Sequence, residues 1–133
     1  MIFVDTGAFL ARYLFRDAHH RSAIAIWKEV TGTPLLTSNH VLDETFTLLA
    51  RRAGYAFAAE RAERVYASSA IEIVSSSRDD EQAAIGVFRK FADQAVSFTD
   101  CLSFVIMKRQ GVRTAFTFDR HFRSAGFQVL GVK

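Results

Sequence analysis

The chain alternates between short apolar segments typical of β-strands and longer segments with helical periodicity, and this alternation limits the folds open to it. Helical segments separate the first four strand-like segments. Parallel strands need crossover connections of this kind. The sequence therefore predicts an α/β fold with a mainly parallel central sheet of four to five strands, covered by helices on both faces. The strand-like segments are MIFVD (1–5), PLLTS (34–38), IEIVS (71–75), TAFTFD (114–119) and FQVLGV (127–132).

The predicted helices account for most of the remaining chain. Their approximate ranges are residues 8–15, 18–30, 40–54, 55–69, 79–92 and 99–111. Ser38 or Asn39 is a suitable N-cap for the third of these helices, which stops at Gly54. Turn-rich stretches lie at residues 30–34 and 75–79 and are typical of connections within a domain. We therefore expect residues 1–133 to form a single domain.

Composition excludes several classes of protein. Half of the 133 residues are apolar and 13 are Phe, which is typical of a globular rather than a disordered chain. No apolar run approaches the ~20 residues that a membrane helix requires, and the N-terminus lacks the pattern of a signal peptide. Cys101 is the single cysteine, so an internal disulfide is impossible. These features predict a cytoplasmic protein that does not associate with a membrane.

Four acidic residues occupy positions that a parallel sheet would bring to one edge. Asp5 ends the first strand and Asp119 ends TAFTFD. Glu44 lies in the first turns of the helix after PLLTS, and Asp100 opens the helix at 99–111. Ligands of open α/β sheets bind beyond the carboxyl ends of the strands. The sequence therefore predicts that these four acids converge on one site.

Each of these acids also has an ordinary structural explanation. Asp5 is a good N-cap for the helix that follows it. Ser97 and Asp100 have the spacing of a capping box. Asp119 could belong to a turn, and Glu44 could be favoured by the helix dipole. The convergence of all four on one side of the sheet favours a shared function over four separate caps.

Clustered carboxylates predict a divalent cation. Like charges a few ångströms apart cannot all stay ionised without compensation, and all-oxygen ligands suit Mg²⁺ or Mn²⁺ rather than zinc. Metals held by acids at such an edge activate water and neutralise phosphate charge, as many nucleases require. The histidines are too dispersed to predict a zinc site and are expected to be surface or capping groups; they are His19, His20, His40 and His121.

The charge outside this acidic set is strongly positive. Without the four acids, the chain has 17 basic and 10 acidic residues. A positive surface around an acidic, metal-filled pocket suits a polyanion. Solvated helix ends would explain the same basic residues equally well. The candidate phosphate contacts are Arg51, Arg52, Lys108, Arg109, Arg113, Arg120 and Arg123.

Three sequence blocks resemble the PIN-domain family and, within it, the small toxins of VapBC-type toxin–antitoxin pairs. FVDTGAFLARYL resembles the family's opening motif, an apolar strand followed by Asp and a small hydroxyl residue. LLTSNHVLDETFTLL is similar to the second motif, and VSFTDCLSFVIMKRQGVRTAFTFDRHFRSAGFQVL to the C-terminal half. The resemblance covers essentially the whole chain. It implies a three-layer α/β/α sandwich and a metal-dependent endoribonuclease that hydrolyses RNA phosphodiester bonds.

The resemblance also implies roles for individual residues and partners. The metal-binding and catalytic acids would be Asp5, Glu44, Asp100 and Asp119, with Mg²⁺ or Mn²⁺ as cofactor. Thr6 and Thr117 match small hydroxyl positions that can hold the acids or a water. Asp43 neighbours Glu44, and the motif alignment favours Glu44. The implied partners are an RNA substrate, a cognate antitoxin protein and a second copy of the chain in a homodimer.

Three other interpretations compete with the toxin. A PIN-fold nuclease could act in RNA processing or on DNA. A PIN-like domain could keep the fold and serve as a non-catalytic binding scaffold, although all four acids are present. A phosphoacceptor receiver domain also places acids at strand ends, but IEIVSSS ends in serines where such a domain needs an aspartate.

Overall fold

A computed structural model describes residues 1–132 and contains one five-stranded sheet in which every neighbouring pair of strands is parallel. The strand order is β3-β2-β1-β4-β5, so β1 lies at the centre. The prediction of a mainly parallel sheet of four to five strands is confirmed. The strands are β1 (Ile2–Val4), β2 (Leu35–Ser38), β3 (Ile71–Val74), β4 (Thr114–Thr117) and β5 (Gln128–Gly131).

Seven α-helices and one 3₁₀ turn, at Ala92–Gln94, surround this sheet within residues 1–132. Six of the helices correspond to the predicted helical segments. The seventh, α7, is a single turn between β4 and β5 and is too short to show helical periodicity in the sequence. The helices are α1 (Thr6–Tyr13), α2 (His20–Glu29), α3 (Asn39–Ala53), α4 (Tyr55–Ala67), α5 (Arg78–Lys90), α6 (Phe98–Gln110) and α7 (His121–Ser124).

Both faces of the sheet are covered, as a three-layer sandwich requires. Successive side chains of a strand point to opposite faces, and Phe3 and Val4 of β1 are both fully buried. Ala115 and Phe116 of β4 are buried in the same way. Phe122 brings α7 into this core, where its ring packs edge-on against Phe104 of α6 with centroids 4.9 Å apart. The helices of the two outer layers therefore hold the loops after β1 and β4 in fixed positions.

The strand order determines where a ligand crevice forms. From β1 the chain builds the sheet outward through β2 and β3, and it then crosses to the other side of β1 to add β4 and β5. Open α/β sheets bind ligands at the carboxyl end of the strands where the order reverses. In this chain that point lies between β1 and β4.

No helix within residues 1–132 is both long and apolar enough to span a membrane.

Candidate active site

The four acids predicted from the sequence line one open cleft at the switch point between β1 and β4. The cleft has a volume of about 550 Å³. Its walls come from the loops after β1 and β4 and from the N-terminal parts of α1, α3 and α6. The lining residues with polar side chains are Asp5, Thr6, His19, Glu44, Ser97, Asp100 and Asp119.

Asp5 is the most deeply placed of these acids. Its backbone N–H donates to the carbonyl of Phe116 at 3.0 Å, which holds it between the central strands. The side chain is 5% exposed, and Oδ2 accepts a hydrogen bond from the Thr117 hydroxyl at 2.8 Å. The buried Oδ1 has no hydrogen-bond partner among residues 1–132. Asp5 occupies the N-cap position of α1, yet its carboxylate makes no capping hydrogen bond. The capping explanation therefore does not account for this side chain.

Burial of the Asp5 carboxyl raises its pKa to about 6. The Thr117 hydrogen bond opposes this shift, and the negative charges of Asp119 and Glu44 add to it. A buried oxygen without a hydrogen-bond donor costs free energy unless another positive group supplies the missing interaction. Asp5 therefore faces the cleft with an unmet requirement for positive charge.

The Thr117 hydroxyl connects two of the acids. It is fully buried, donates to Asp5 and accepts a hydrogen bond from the backbone N–H of Asp119 at 3.0 Å. The strand β4 ends at Thr117, so Asp119 lies two residues beyond it rather than at the strand's last position. Thr6 is also buried and lines the cleft, and its hydroxyl lies 3.5 Å from the Val41 carbonyl, at the limit of a hydrogen bond.

Asp100 forms only half of the capping box that its spacing from Ser97 suggests. The Ser97 hydroxyl accepts a hydrogen bond from the Asp100 backbone N–H at 3.1 Å, and the carboxylate does not return one to Ser97. The same spacing in α5 gives the complete box, because the Asp80 carboxylate does accept from the Ser77 backbone N–H. The Asp100 side chain is instead turned towards the other acids of the cleft.

The pKa of Asp100 is the most strongly raised among the acids of the cleft. Burial away from water is the largest cause, followed by the negative charge of Asp5. Contact with Asp119 and the charge of Glu44 raise the pKa further, to about 9. The acids therefore cannot all ionise at neutral pH without a compensating cation.

The structure separates Glu44 from its neighbour Asp43. Both lie in the second turn of α3, but Asp43 is exposed and does not line the cleft. Glu44 is half-buried and lines the cleft.

His121 lies closer to the acids than the sequence analysis expected. One ligand atom from each of Asp100, Asp119 and His121 lies within 4.8 Å of the other two. Asp119 Oδ1 accepts a hydrogen bond from the His121 backbone N–H at 2.8 Å, and His121 Nδ1 lies 2.8 Å from that same oxygen. The Asp-x-His spacing could have suggested this arrangement, but the sequence gives no sign of the tight turn that folds the two side chains together.

The donor set fits a hard divalent cation. Three observations agree: the carboxylates converge, Asp5 Oδ1 is buried without a partner, and the pKa values of Asp5 and Asp100 are raised by burial and mutual repulsion. Carboxylate oxygens with room for several waters are the usual environment of Mg²⁺ or Mn²⁺.

The basic residues predicted as candidate phosphate contacts lie in different environments. Arg109 donates two hydrogen bonds of 2.8 Å to the buried carboxylate of Asp80, so it joins α5 to α6. It is therefore a structural residue, and its interpretation as a phosphate contact was wrong. Arg123 donates to the carbonyl of Val132. Arg120 is exposed and directly follows Asp119 at the edge of the cleft.

A model of the PIN domain matches residues 2–128. The chain belongs to the PIN-domain family. The predicted resemblance to this family and to its VapC members is confirmed by the relatives that it matches. This chain is 37% identical over 127 residues to the 23S rRNA-specific endonuclease VapC20 of Mycobacterium tuberculosis, in an alignment that covers 96% of this chain and 95% of that protein. It is 31% identical over 108 residues to a VapC ribonuclease of Archaeoglobus fulgidus, covering 77% and 67% of the two chains.

Solved structures agree with this assignment. The crystal structure of Mycobacterium tuberculosis VapC20, described as a Sarcin-Ricin loop cleaving toxin, superposes with a TM-score of 0.86. The two chains are 35% identical in that alignment, which covers 96% of each. The five-stranded parallel sheet is therefore that of the PIN fold.

Proposed function

We propose that this PIN-domain protein is a divalent-metal-dependent endoribonuclease and the toxin of a toxin–antitoxin pair. The observation that carries the proposal is the cleft in which four carboxylates converge around the unpartnered Asp5 Oδ1. Similarity to VapC ribonucleases supports RNA as the substrate class. The presence of all four acids in one cleft argues against a binding scaffold that has lost its activity.

The four acids have distinct duties in this proposal. Asp5, Glu44, Asp100 and Asp119 hold the cation, which when bound activates water and neutralises charge on the phosphate. Thr117 fixes Asp5 and the Asp119 backbone relative to each other. One of the carboxylates accepts the proton of the attacking water. The buried strands β1 and β4 hold the segments that carry Asp5 and Asp119 in fixed positions.

A stacked pair of rings at the edge of the cleft supports binding of an unpaired nucleotide. The imidazole of His19 lies parallel to the ring of Phe118, with centroids 4.4 Å apart and planes 8° apart. Both residues line the cleft, and His19 is exposed. A Cβ at Gly131 would lie only 3.0 Å from the Phe118 ring, so the glycine leaves the space that this ring occupies. Nucleobases stack on such platforms in single-stranded RNA, so a base beside the scissile phosphate can extend this stack.

The first substrate to test is large-subunit ribosomal RNA, because VapC20 carries that specificity in its name. Ribosomes, total RNA and single- and double-stranded DNA should be incubated side by side with the protein and Mn²⁺ or Mg²⁺. We expect metal-dependent cleavage of RNA at a small number of sites. Cleavage of DNA instead of RNA would favour a DNA nuclease, and cleavage of precursor RNA only would favour a nuclease of RNA processing.

Two adjacent residues of α3 provide a matched pair of variants for this assay. Glu44→Gln removes a charge from the cleft, whereas Asp43→Asn removes one from the exposed face of the same helical turn. We expect Glu44→Gln to lower the cleavage rate by at least about a hundredfold and Asp43→Asn to leave it nearly unchanged. Equal losses in both variants would contradict the assignment of Glu44.

We also propose that an antitoxin docks in a second groove, of about 730 Å³, at the far ends of α1 and α3. Its apolar walls include Phe15 and Phe57, and its three arginines, Arg16, Arg52 and Arg61, outnumber its one acid, Asp17. The Arg61 guanidinium lies over the Phe57 ring at 4.8 Å, and its buried Nε has no hydrogen-bond partner in the described part of the chain, residues 1–132. These features suit a segment with apolar and acidic side chains.

The groove also lies within reach of the acids. α1 runs from Thr6 at the cleft to Tyr13 at the groove, and α3 runs from Glu44 to Arg52. At about 1.5 Å per residue these distances are about 10–12 Å along the helix axes. A bound segment can therefore extend a basic side chain into the acidic cleft and block it.

Charge reversal tests this docking surface. The protein encoded beside this gene should be co-expressed with the wild type and with the double variant Arg52→Glu, Arg61→Glu. We expect the double variant to lose the complex. Arg51→Glu, which reverses an exposed charge outside the groove, should keep it. Retention of the complex by the double variant would place the antitoxin elsewhere.

We further propose a cytoplasmic homodimer. The buried, unpaired Cys101 is compatible with a reducing compartment. Ile85, Phe88 and Phe98 form an exposed apolar patch on α5 and the start of α6, with the two Phe rings edge to face at 5.6 Å. Light scattering coupled to size-exclusion chromatography should give the mass of a dimer for the wild type and the mass of a monomer for Phe88→Arg. A monomeric wild type at micromolar concentration would contradict the proposal.

A further inference from the structure

His121 combines features that set it apart from the other three histidines. It begins α7, directly after the turn that carries Asp119. Its neighbour Phe122 is fully buried against Phe104, one turn beyond Asp100 on α6. The core therefore holds His121 beside both acids, and its position does not depend on its own side-chain contacts.

The contact between His121 and Asp119 is close without being a hydrogen bond. His121 Nδ1 lies 2.8 Å from Asp119 Oδ1, but this nitrogen is buried and has no hydrogen-bond partner within residues 1–132. The Asp119 oxygen already accepts the His121 backbone N–H at 2.8 Å. Two ligands in adjacent positions of an octahedral ion lie about 3 Å apart, given metal–oxygen distances of about 2.1 Å. The pair has the spacing of ligands that share one ion.

A second, independent observation points to a cation in the same cleft. Asp5 is 5% exposed and its Oδ1 is buried without a partner. Asp5 follows β1, whereas His121 follows β4, and Asp5 lines the same cleft as Asp100 and Asp119. The cluster is therefore more than a group of neighbouring acids.

We propose that His121 supplies a nitrogen ligand to the metal held by Asp100 and Asp119, and that this ligand shifts the preference of the site from Mg²⁺ towards Mn²⁺. The inference rests on the metal site of the proposed function. Mg²⁺ is a hard cation that takes oxygen ligands almost exclusively. Mn²⁺ also favours oxygen, but as a transition metal it accepts an imidazole nitrogen more readily than Mg²⁺ does. A site with a histidine donor thus retains Mn²⁺ in competition with Mg²⁺ better than a site of carboxylates alone.

Pulsed electron paramagnetic resonance of the Mn²⁺ complex tests the ligand directly. We expect the wild-type spectrum to show the hyperfine coupling of a directly bound imidazole nitrogen. His121→Asp should abolish the coupling while it keeps an oxygen donor at the site. His19→Asn is the matched control, because His19 lines the cleft but does not belong to the cluster of Asp100, Asp119 and His121. Loss of the coupling in His19→Asn rather than in His121→Asp would overturn the proposal.

Calorimetric titration with each metal alone tests the preference. Loss of a residue that merely supports a metal ligand costs roughly 10–100-fold in metal affinity, so loss of the ligand itself should lower the ratio of Mn²⁺ to Mg²⁺ affinity by at least about tenfold. His121→Asp should show this fall chiefly through weaker Mn²⁺ binding, and His121→Gln serves as a second variant. Thermal melting of the metal-free variants verifies folding, which we expect to persist because Phe122 anchors α7.

The outcomes distinguish this inference from the proposed function. If the wild type binds Mn²⁺ without nitrogen coupling and the affinity ratio is unchanged in both variants, His121 is an ion-pair partner of Asp119 and the inference is refuted. If the wild type and Asp100→Asn both fail to bind Mn²⁺, the metal site itself is refuted. Nitrogen coupling that only His121 variants remove supports both.

Discussion

Replacement of Asp100 by Asn should stabilise the metal-free protein, which is an unusual outcome for a buried residue. The pKa of this carboxyl rises from 3.8 to about 9 on folding, first because of burial and then because of the charge of Asp5. At pH 7 the folded protein must therefore hold a proton that the unfolded chain has released. This proton uptake lowers the free energy of unfolding by about 1.4 kcal/mol for each pH unit above the pKa of the unfolded chain, which is at most roughly 4 kcal/mol at pH 7.

The sign of the pH dependence follows from the same shift. A carboxyl whose pKa is higher in the folded state takes up a proton on folding, so the stability of the wild type falls as pH rises from about 4 towards 9. The asparagine side chain of the variant does not titrate and therefore escapes this loss. The advantage of the variant should be absent near pH 4 and grow steadily up to pH 9. Asp5, whose pKa rises to about 6, adds a smaller loss between about pH 4 and 6 in both proteins.

Urea denaturation of chelator-treated protein at several pH values measures this effect. We expect Asp100→Asn to gain about 2–4 kcal/mol at pH 7, after allowance for the lost contact with Asp119. Asp43→Asn, which changes an exposed acid, should be neutral at every pH. Added Mn²⁺ should then stabilise the wild type, by about 2.7 kcal/mol at a hundred times the dissociation constant, and stabilise Asp100→Asn much less.

Two results would refute this reasoning. A metal-free Asp100→Asn variant that is less stable than the wild type at pH 7 would show that the carboxylate acts as an ordinary helix cap. A gain that does not change with pH would show that packing, rather than the charge of the cleft, explains the stabilisation. In either case the raised pKa values would no longer support a cation site.

Three further changes test how the cleft and its frame are held together. Thr117→Val removes the hydroxyl that joins Asp5 to the Asp119 backbone and should weaken Mn²⁺ binding, measured by calorimetry, about tenfold. Thr45 is equally buried but bonds to the Val41 carbonyl, so Thr45→Val should leave Mn²⁺ binding unchanged. Gly131→Ala forces a Cβ against the Thr117 carbonyl and the Phe118 ring at a φ of 112°, so this variant should unfold at a lower urea concentration and bind Mn²⁺ more weakly. Gly126 has a similar φ but open space around it, so Gly126→Ala should lower stability by about 1 kcal/mol without affecting Mn²⁺ binding. Arg109→Ala removes two of the hydrogen bonds to the Asp80 carboxylate, which is 3% exposed and keeps the Ser77 backbone N–H, and should cost about 2 kcal/mol at neutral pH. Because Arg109 lowers the pKa of Asp80, this cost should shrink as pH falls below about 4. Unchanged stability of Arg109→Ala would contradict a structural role for the pair.

The sheet could be predicted because its signals are local. Each strand is a short, largely apolar run, and the first three crossovers contain helices long enough to show their period, as in α3 (Asn39–Ala53) and α6 (Phe98–Gln110). Parallel topology then follows from the alternation. The single turn of α7 was missed because four residues cannot show a 3.6-residue period, and its position depends on Phe122 packing against Phe104.

The candidate site was accessible from the sequence only in part. The positions of the four acids after strands and at helix starts follow from the fold class. The place of His121 beside Asp119 depends on a turn whose geometry is set by tertiary contacts of α7, so residue type and spacing alone left it among dispersed histidines. The role of Arg109 was mistaken for the same reason, because its partner Asp80 lies 29 residues away on another helix.

Asp80 and Asp100 show how a carboxylate of the cleft differs from a structural cap. Both are buried, and both stand three residues after a serine at the start of a helix. Arg109 lowers the pKa of Asp80, while burial and neighbouring acids raise that of Asp100. A carboxylate balanced by its own chain has little remaining attraction for an ion. Asp100 lacks such a partner, as does Asp5 Oδ1, and a cation that neutralises both would also draw a phosphate to the same edge of the sheet.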